Sequence, residues 1–131
     1  MRFALKQLQS IAEDELTHLL RYTLPRGLMR DSVFRAYNNR IRAPLIIATE
    51  YAETLGWGAI IPYPGHRDKH AKPTIMIYVR AAHRGRGIGT SITKRLQGAA
   101  NDVHCCVHSS ASRALFDKFR LPLSFYSHWQ E

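Results

Sequence analysis

The clearest hydrophobic pattern in the chain runs from Lys72 to Leu96, an apolar extended run followed by a glycine-rich loop and a helical apolar repeat. Ile75, Ile77 and Val79 point one way in an extended segment, and Met76 and Tyr78 point the other. Both faces are apolar, which predicts a buried inner strand rather than an edge. A glycine-rich loop follows, Arg84-Gly85-Arg86-Gly87-Ile88-Gly89, and then Ile88, Ile92 and Leu96 recur at fours on one face of a helix. Strand, loop and helix stand in that order, and the rest of the chain is arranged around them.

Upstream, Phe3, Leu5 and Leu8 predict a short opening strand. Ser10-Ile11-Ala12-Glu13 has the form of a capping box, in which the Ser side chain bonds the amide three residues on and the Glu reaches back. The helix it would open turns Ile11, Leu16, Leu19 and Leu20 to the core and carries Glu13, Asp14 and Glu15 in its first turn, where the helix dipole favours acids. A second helix is predicted from Pro25 to Tyr37, with Leu28, Met29, Val33 and Tyr37 inward and Arg26, Arg30 and Arg35 outward. Leu45 to Ala52 and Leu55 to Ile61 read as paired strands joined around Glu53-Thr54, with a bulge where Gly56 and Gly58 flank Trp57. Pro62 to Lys72 reads as a loop.

Downstream, Val103, Cys105 and Val107 form one face of another strand, and His104, Cys106 and His108 the other. Ser109 or Ser110 can cap a final helix with Ala111, Leu115 and Phe119 inward, and Leu121 to Trp129 supplies a last strand. The order is strand, two helices, three strands, helix, strand, helix, strand. This predicts an α/β (α+β) class fold in one domain over residues 1–131.

Charge narrows the classes. Lys and Arg number 19 against 10 Asp and Glu, a formal net charge of +9, which suits an acidic or nucleic-acid-associated partner or simply a solvated basic surface. No run of eighteen apolar residues predicts a membrane span, and the N-terminal residues lack a signal-peptide core. Two adjacent cysteines, Cys105 and Cys106, make a poor disulfide framework and suit a reducing cytoplasm. His104, Cys106 and His108 alternate on one strand face, but structural zinc sites draw on two separated ligand pairs, so no metal is expected. His66 and His70 lie four apart in a Pro/Gly-rich loop and read as solvated.

The loop's physics is anion binding. Glycines let the backbone turn tightly, and the first amides of a helix lack internal partners at the positive end of its dipole. Arg80, His83, Arg84 and Arg86 surround that point, so a phosphorylated ligand is expected. A Walker loop is absent. A dinucleotide fingerprint also fails: after Gly85 and Gly87 the third position holds Thr90, and the region about twenty residues on, Cys105 to His108, has no carboxylate.

With Val79 closing the strand, Arg84-Gly85-Arg86-Gly87-Ile88-Gly89 resembles the acyl-CoA signature of the GNAT superfamily of N-acetyltransferases, Arg/Gln-x-x-Gly-x-Gly/Ala. The order of elements fits that fold as well, a mixed, mostly antiparallel sheet flanked by about four helices, here a short member without the closing strand of many relatives. The resulting gap is one a second subunit, making a homodimer, would fill. The resemblance implies acetyl-CoA as co-substrate and an amine-bearing acceptor such as a protein, an aminoacyl-tRNA or a small molecule. It also implies that the main chain of Ile77, Tyr78 and Val79 polarises the thioester, while amides from Gly85 through Arg86, Gly87, Ile88 and Gly89 to Thr90 hold the pyrophosphate beside Arg84.

The catalytic side chains depart from the family. No carboxylate stands on the central strand, where some members place a Glu. Other members place the base five residues before the final helix's Asn. Counting from Ser109 gives His104, whose imidazole suits the task; Glu50 and Glu53 are the reserve. The family's Asn-x-x-Ala-x-x-x-Tyr aligns Ser109, Ser112 and Phe116, so the proton-donating Tyr becomes a Phe that can only pack against the pantetheine arm. Tyr126 is the substitute donor. Two functions follow as expectations: acetyl transfer to a primary amine, or a catalytically weak CoA-binding or nucleic-acid-binding module that kept the fold.

Overall fold

Five strands, the middle three rich in Ile, Leu and Val, form one sheet, and helices cover both of its faces. The structure is a computed structural model that describes residues 1–21, 28–62, 73–100, 103–105 and 110–122, with the backbone alone at 28 and 29. The strands are β1 (Arg2–Gln7), β2 (Pro44–Glu50), β3 (Glu53–Ile61), β4 (Thr74–Val79) and β5 (His104–Cys105), in spatial order β1-β2-β3-β4-β5. The first four pair antiparallel; β5 joins β4 in parallel, Thr74 opposite His104 and Ile75 opposite Cys105. The helices are α1 (Glu13–Leu20), α2 (Leu28–Asn38), α3 (Ile88–Gln97) and α4 (Ser110–Lys118). The expected last strand, from Leu121 to Trp129, falls almost wholly outside the described residues.

Alternation along the strands divides the core in two. Leu8, Leu16, Leu20, Val33, Trp57 and Met76 pack on one side of the sheet, with Tyr78 against them. Ile46, Ile60, Ile75, Ile77, Ile88, Ile92, Leu96 and Phe116 pack on the other, with Val79 and Leu115 at the margin. The central strand is thus an inner strand apolar on both faces, as its pattern predicts, and Ile88, Ile92 and Leu96 are all buried on one face of α3.

Several local expectations give way to packing. Leu8 is fully buried below the end of β1, and Leu8–Ser10 form a 3-10 turn that uses Ser10 up. The capping box therefore does not form: α1 begins at Glu13 behind Ala12, which makes no side-chain cap, although the three acids do occupy the first turn. Helix α2 is described from Leu28 to Asn38, and the expected start at Pro25 lies outside the described residues. The β2–β3 turn falls on Tyr51 and Ala52, both with positive φ (51° and 64°), rather than on Glu53-Thr54. The pairing slips between Ala48 and Thr49, which leaves Leu55 as the extra residue, just before the stretch around Trp57 where the bulge is expected. Leu5 sits on the edge strand, 62% exposed.

In α4 the expected inward set was Ala111, Leu115 and Phe119, but Ser112 and Phe116 are the buried residues and Ala111 is exposed. The helix ends with Arg120 in the left-handed region (φ 53°), and the Leu121 amide donates to the Phe116 carbonyl at 3.4 Å. This is the C-terminal geometry that glycine serves best. Arg120→Gly is expected to stabilise the protein by about 0.5–1 kcal/mol, the left-handed penalty less glycine's entropy. Thermal unfolding would register it as a Tm higher by a few degrees.

Candidate active site

The C-terminal end of β4, the loop after it and the first turn of α3 form one wall of a cleft of about 310 Å³; α4 forms the other. Ile77 and Val79 come from β4, and Arg84, Gly85, Gly87, Ile88, Gly89 and Thr90 from the loop and helix start. These expected residues are therefore brought together. Gly85 and Gly87 take φ of 83° and 79°, and a Cβ on either would meet nothing within 4 Å, so the backbone lies open to the cleft. Gly87 is the N-cap of α3, with no side-chain cap, and its carbonyl accepts the first helical bond, from the Ser91 amide at 3.0 Å. The amides of Ile88, Gly89 and Thr90 consequently have no partner within the helix.

The charges around this opening are sorted. Arg84 lines the cleft, donates Nε to the Val79 carbonyl at 3.1 Å and lies 6.0 Å from the Tyr78 ring. Arg86 turns to Glu50, donating from Nη2 to both carboxylate oxygens at 3.0 Å, and does not line the cleft. Arg80 donates to Glu53, which His83 Nε2 approaches at 3.4 Å. Lys118 lines the cleft from α4. Anionic ligands suit such an opening: free amides at a helix start with cations on both walls.

Glu50 and Glu53, the reserve bases, are thus engaged by loop cations. The hydrogen bond from His83, and then that from Arg80, hold the Glu53 carboxyl below its ordinary pKa of 4.5. A carboxylate whose pKa is lowered by folding stabilises the fold above its unfolded pKa, and that contribution is lost as pH falls through the folded value. Glu53→Gln is expected to flatten the acid limb of stability against pH, below about 4.5; urea unfolding from pH 3 to 6 checks it.

Other expected residues are placed apart from the cleft. Tyr78 faces the opposite core, so only its main chain belongs to the end of β4. Phe116 is buried beneath the cleft in the cluster that holds Ile77 and Ile88, and Leu115 takes the cleft side instead. His104 pairs with Thr74; three residues of strand, about 10 Å, separate that register position from Ile77. Since Val103 and Cys105 belong to the α3 side, His104 faces the other side of the sheet. Ser109 and Tyr126 lie outside the described residues. Sequence reading missed Lys118 on the cleft wall, although Ala111, Leu115 and Lys118 follow a helical face at fours and threes. Among the described residues no group of His, Cys, Asp and Glu could hold a metal, and no helix is long and apolar enough to cross a membrane.

A sheet whose fourth and fifth strands run parallel, with a glycine loop leading from the fourth into a helix and a cleft beside it, defines an acyl-CoA N-acyltransferase fold. The chain belongs to the GNAT acetyltransferase family, whose model matches residues 5–119. A predicted acetyltransferase of Clostridium acetobutylicum, solved with acetyl-CoA, superposes with a TM-score of 0.65 over 99% of this chain and 95% of its own, at 18% identity. A ribosomal-protein-alanine N-acetyltransferase of Brucella melitensis gives 0.61 over 88% and 82%, at 15% identity. An N-acetyltransferase of Bacillus subtilis in complex with coenzyme A gives 0.59 over 91% and 84%, at 10% identity. At these identities the likeness is one of fold. No curated protein sequence matches the chain.

Proposed function

We propose that this protein is an acetyl-CoA-dependent N-acetyltransferase that acts on a primary amine by direct attack on the thioester. Family membership supports acetyl transfer, and the observation that carries the reading is the cleft itself. There, glycines at positive φ open the backbone, the unpartnered amides of α3 begin, and Arg84 and Lys118 flank the opening. Arg84 and the amides of Ile88, Gly89 and Thr90 bind the phosphates, and the main chain of Ile77 to Val79 polarises the thioester carbonyl. Bound acetyl-CoA supplies the activated acetyl group.

The acceptor nitrogen forms its bond to the acetyl carbon as the carbon–sulfur bond breaks, and the nitrogen's proton passes to water. The face of α4 on the cleft offers Leu115, and Phe116 below it cannot donate a proton. The sulfur therefore leaves as thiolate, which a pKa of about 8.5 permits, or takes its proton from Tyr126. His104, about 10 Å from Ile77 along the strand and on the other face of the sheet, takes the amine proton only through a relay of waters. His104→Ala is then expected to lower kcat about tenfold, with unchanged affinity for acetyl-CoA, because a positioned base is removed while the phosphate site is untouched. An unaltered pH–rate profile removes His104 from the reaction.

The acceptor is an amine on a protein, an aminoacyl-tRNA or a small molecule. The net charge of +9 favours one carried on an acidic partner, and a fold neighbour's action on a ribosomal protein is in keeping with a protein amine. Phe116, which stands where the family's proton-donating Tyr would be, supports a second reading, a CoA-binding module with little turnover. Calorimetry with acetyl-CoA, followed by thiol release in the presence of candidate acceptors, separates the two. Binding with release supports the enzyme, binding without release supports the module, and no binding overturns both.

A further inference from the structure

We propose that Glu50 and Glu53, at the two ends of the β2–β3 turn, are positioning residues that hold the phosphate loop in its binding conformation; this rests on the CoA reading of the cleft. The strand pairing brings the turn to the loop: Gly56 lies opposite Val79, and the Arg80 amide donates to the Leu55 carbonyl at 2.9 Å. From there an unbroken chain of polar contacts crosses the loop. Glu50 takes both its bonds from Arg86, and Arg86 Nη1 lies 3.2 Å from His83 Nδ1. His83 Nε2 faces Glu53, which also accepts from Arg80. A guanidinium only donates, so His83 Nδ1 accepts from Arg86 and the ring's proton sits on Nε2, aimed at Glu53.

Two features oppose this arrangement locally, which points to a use for it. Glu50 and Glu53 are direct cross-strand partners, and like charges placed so repel unless each is matched by a cation. The turn between them also holds two non-glycine residues, Tyr51 and Ala52, at positive φ, with Tyr51 97% exposed. Neither feature serves the core. Both set two carboxylates side by side at the back of the loop.

The loop needs such an anchor because Gly85 and Gly87 leave it free to turn. Arg86 is the side chain between them, and the grip of Glu50 fixes it. That grip also sorts the cations: Arg86 and Arg80 are matched behind the loop, whereas Arg84 and Lys118, on the cleft, have no carboxylate partner among the described residues. Two jobs are thereby divided, anchoring by the first pair and ligand charge by the second.

The test uses Glu50→Gln, which keeps the shape and removes the charge. Hydrogen exchange on the ligand-free protein should show faster exchange at the hydrogen-bonded amides that frame the loop, those of Arg80, His83, Arg84 and Ser91, with Tm unchanged, since exposed ion pairs add little to global stability. Calorimetry should show CoA bound about fivefold more weakly, the effect of a lost preorganised loop, with kcat at saturating acetyl-CoA unmoved. Arg86→Glu should weaken binding further, and adding Glu50→Arg to it should restore part of the affinity. Unchanged exchange in Glu50→Gln, or no recovery in the swapped pair, overturns the proposal. If the wild type itself does not bind CoA, the reading of the cleft falls instead, a result that the exchange data on ligand-free protein keep separate.

Discussion

Gly87→Asp is expected to abolish coenzyme A binding and leave the fold standing. The residue has φ of 79°, and a Cβ there meets nothing within 4 Å, so an added side chain strains the backbone without a clash. Left-handed geometry costs an L-residue about 1–2 kcal/mol, with Asp among the types that tolerate it best. Gly87 is also the N-cap of α3 and lacks a side-chain cap. An aspartate capping that helix returns about 1 kcal/mol. The two effects nearly cancel, so Tm should move by only a few degrees.

Binding is another matter. The new carboxylate would take up the amides that the phosphates require and stand beside them. Two unit charges 4 Å apart near a protein surface repel by about 4 kcal/mol. Even half of that, about 2 kcal/mol, weakens binding by more than tenfold, and loss of the amides takes it out of the calorimetric range. Gly87→Asn is the control, with the same size and conformation but no charge, and should retain measurable affinity. If Gly87→Asp bound CoA as the wild type does, the loop would have no part in phosphate recognition.

That loop was legible in the sequence because its signals are local. Glycine spacing, a preceding strand apolar on both faces and Ile88, Ile92 and Leu96 at helical intervals need no knowledge of what lies across the sheet. The features misread depend on distant partners. Ser10 loses its capping role because Leu8 is drawn into the core formed with α1 and α2. The turn at Tyr51 and Ala52 carries no Gly or Asn to mark it, so its position follows from strand register alone. Glu50 and Glu53 read as spare bases, since nothing local announces that Arg86 and Arg80 will meet them from more than twenty-five residues away. The apolar stripe of α4 is wide enough to serve both core and cleft, and periodicity alone cannot divide Leu115 from Phe116 between them.

The glycines of β3 carry the same lesson and give the largest expected loss of stability. Their spacing around Trp57 reads as a weakened strand, but Gly58 is a contact position. A Cβ there would lie 2.4 Å from Ile92 Cγ2, 3.1 Å from Leu96 Cδ1 and 3.2 Å from Ile77 Cγ1. Leu96 could swing its terminal methyl aside. Ile92 cannot, because a β-branched side chain on a helix has essentially one χ1 rotamer. Relief therefore requires α3 to lift off the sheet, and α3 carries the phosphate-binding turn at its start. Gly58→Ala is expected to cost about 3 kcal/mol, at the upper end of overpacking effects, which for a chain of this size lowers Tm by about 10 °C; Gly58→Val should cost more and leave little folded protein at 37 °C. The check is a double-mutant cycle. Ile92→Ala destabilises alone by leaving a cavity, but with Gly58→Ala the new methyl enters the space vacated. The pair should thus be less destabilised than the sum of the singles by more than about 1 kcal/mol, well beyond the scatter of independent sites. Strict additivity would mean that α3 does not rest on Gly58, and the close approach of helix and sheet that sets the height of the loop would have to be sought elsewhere.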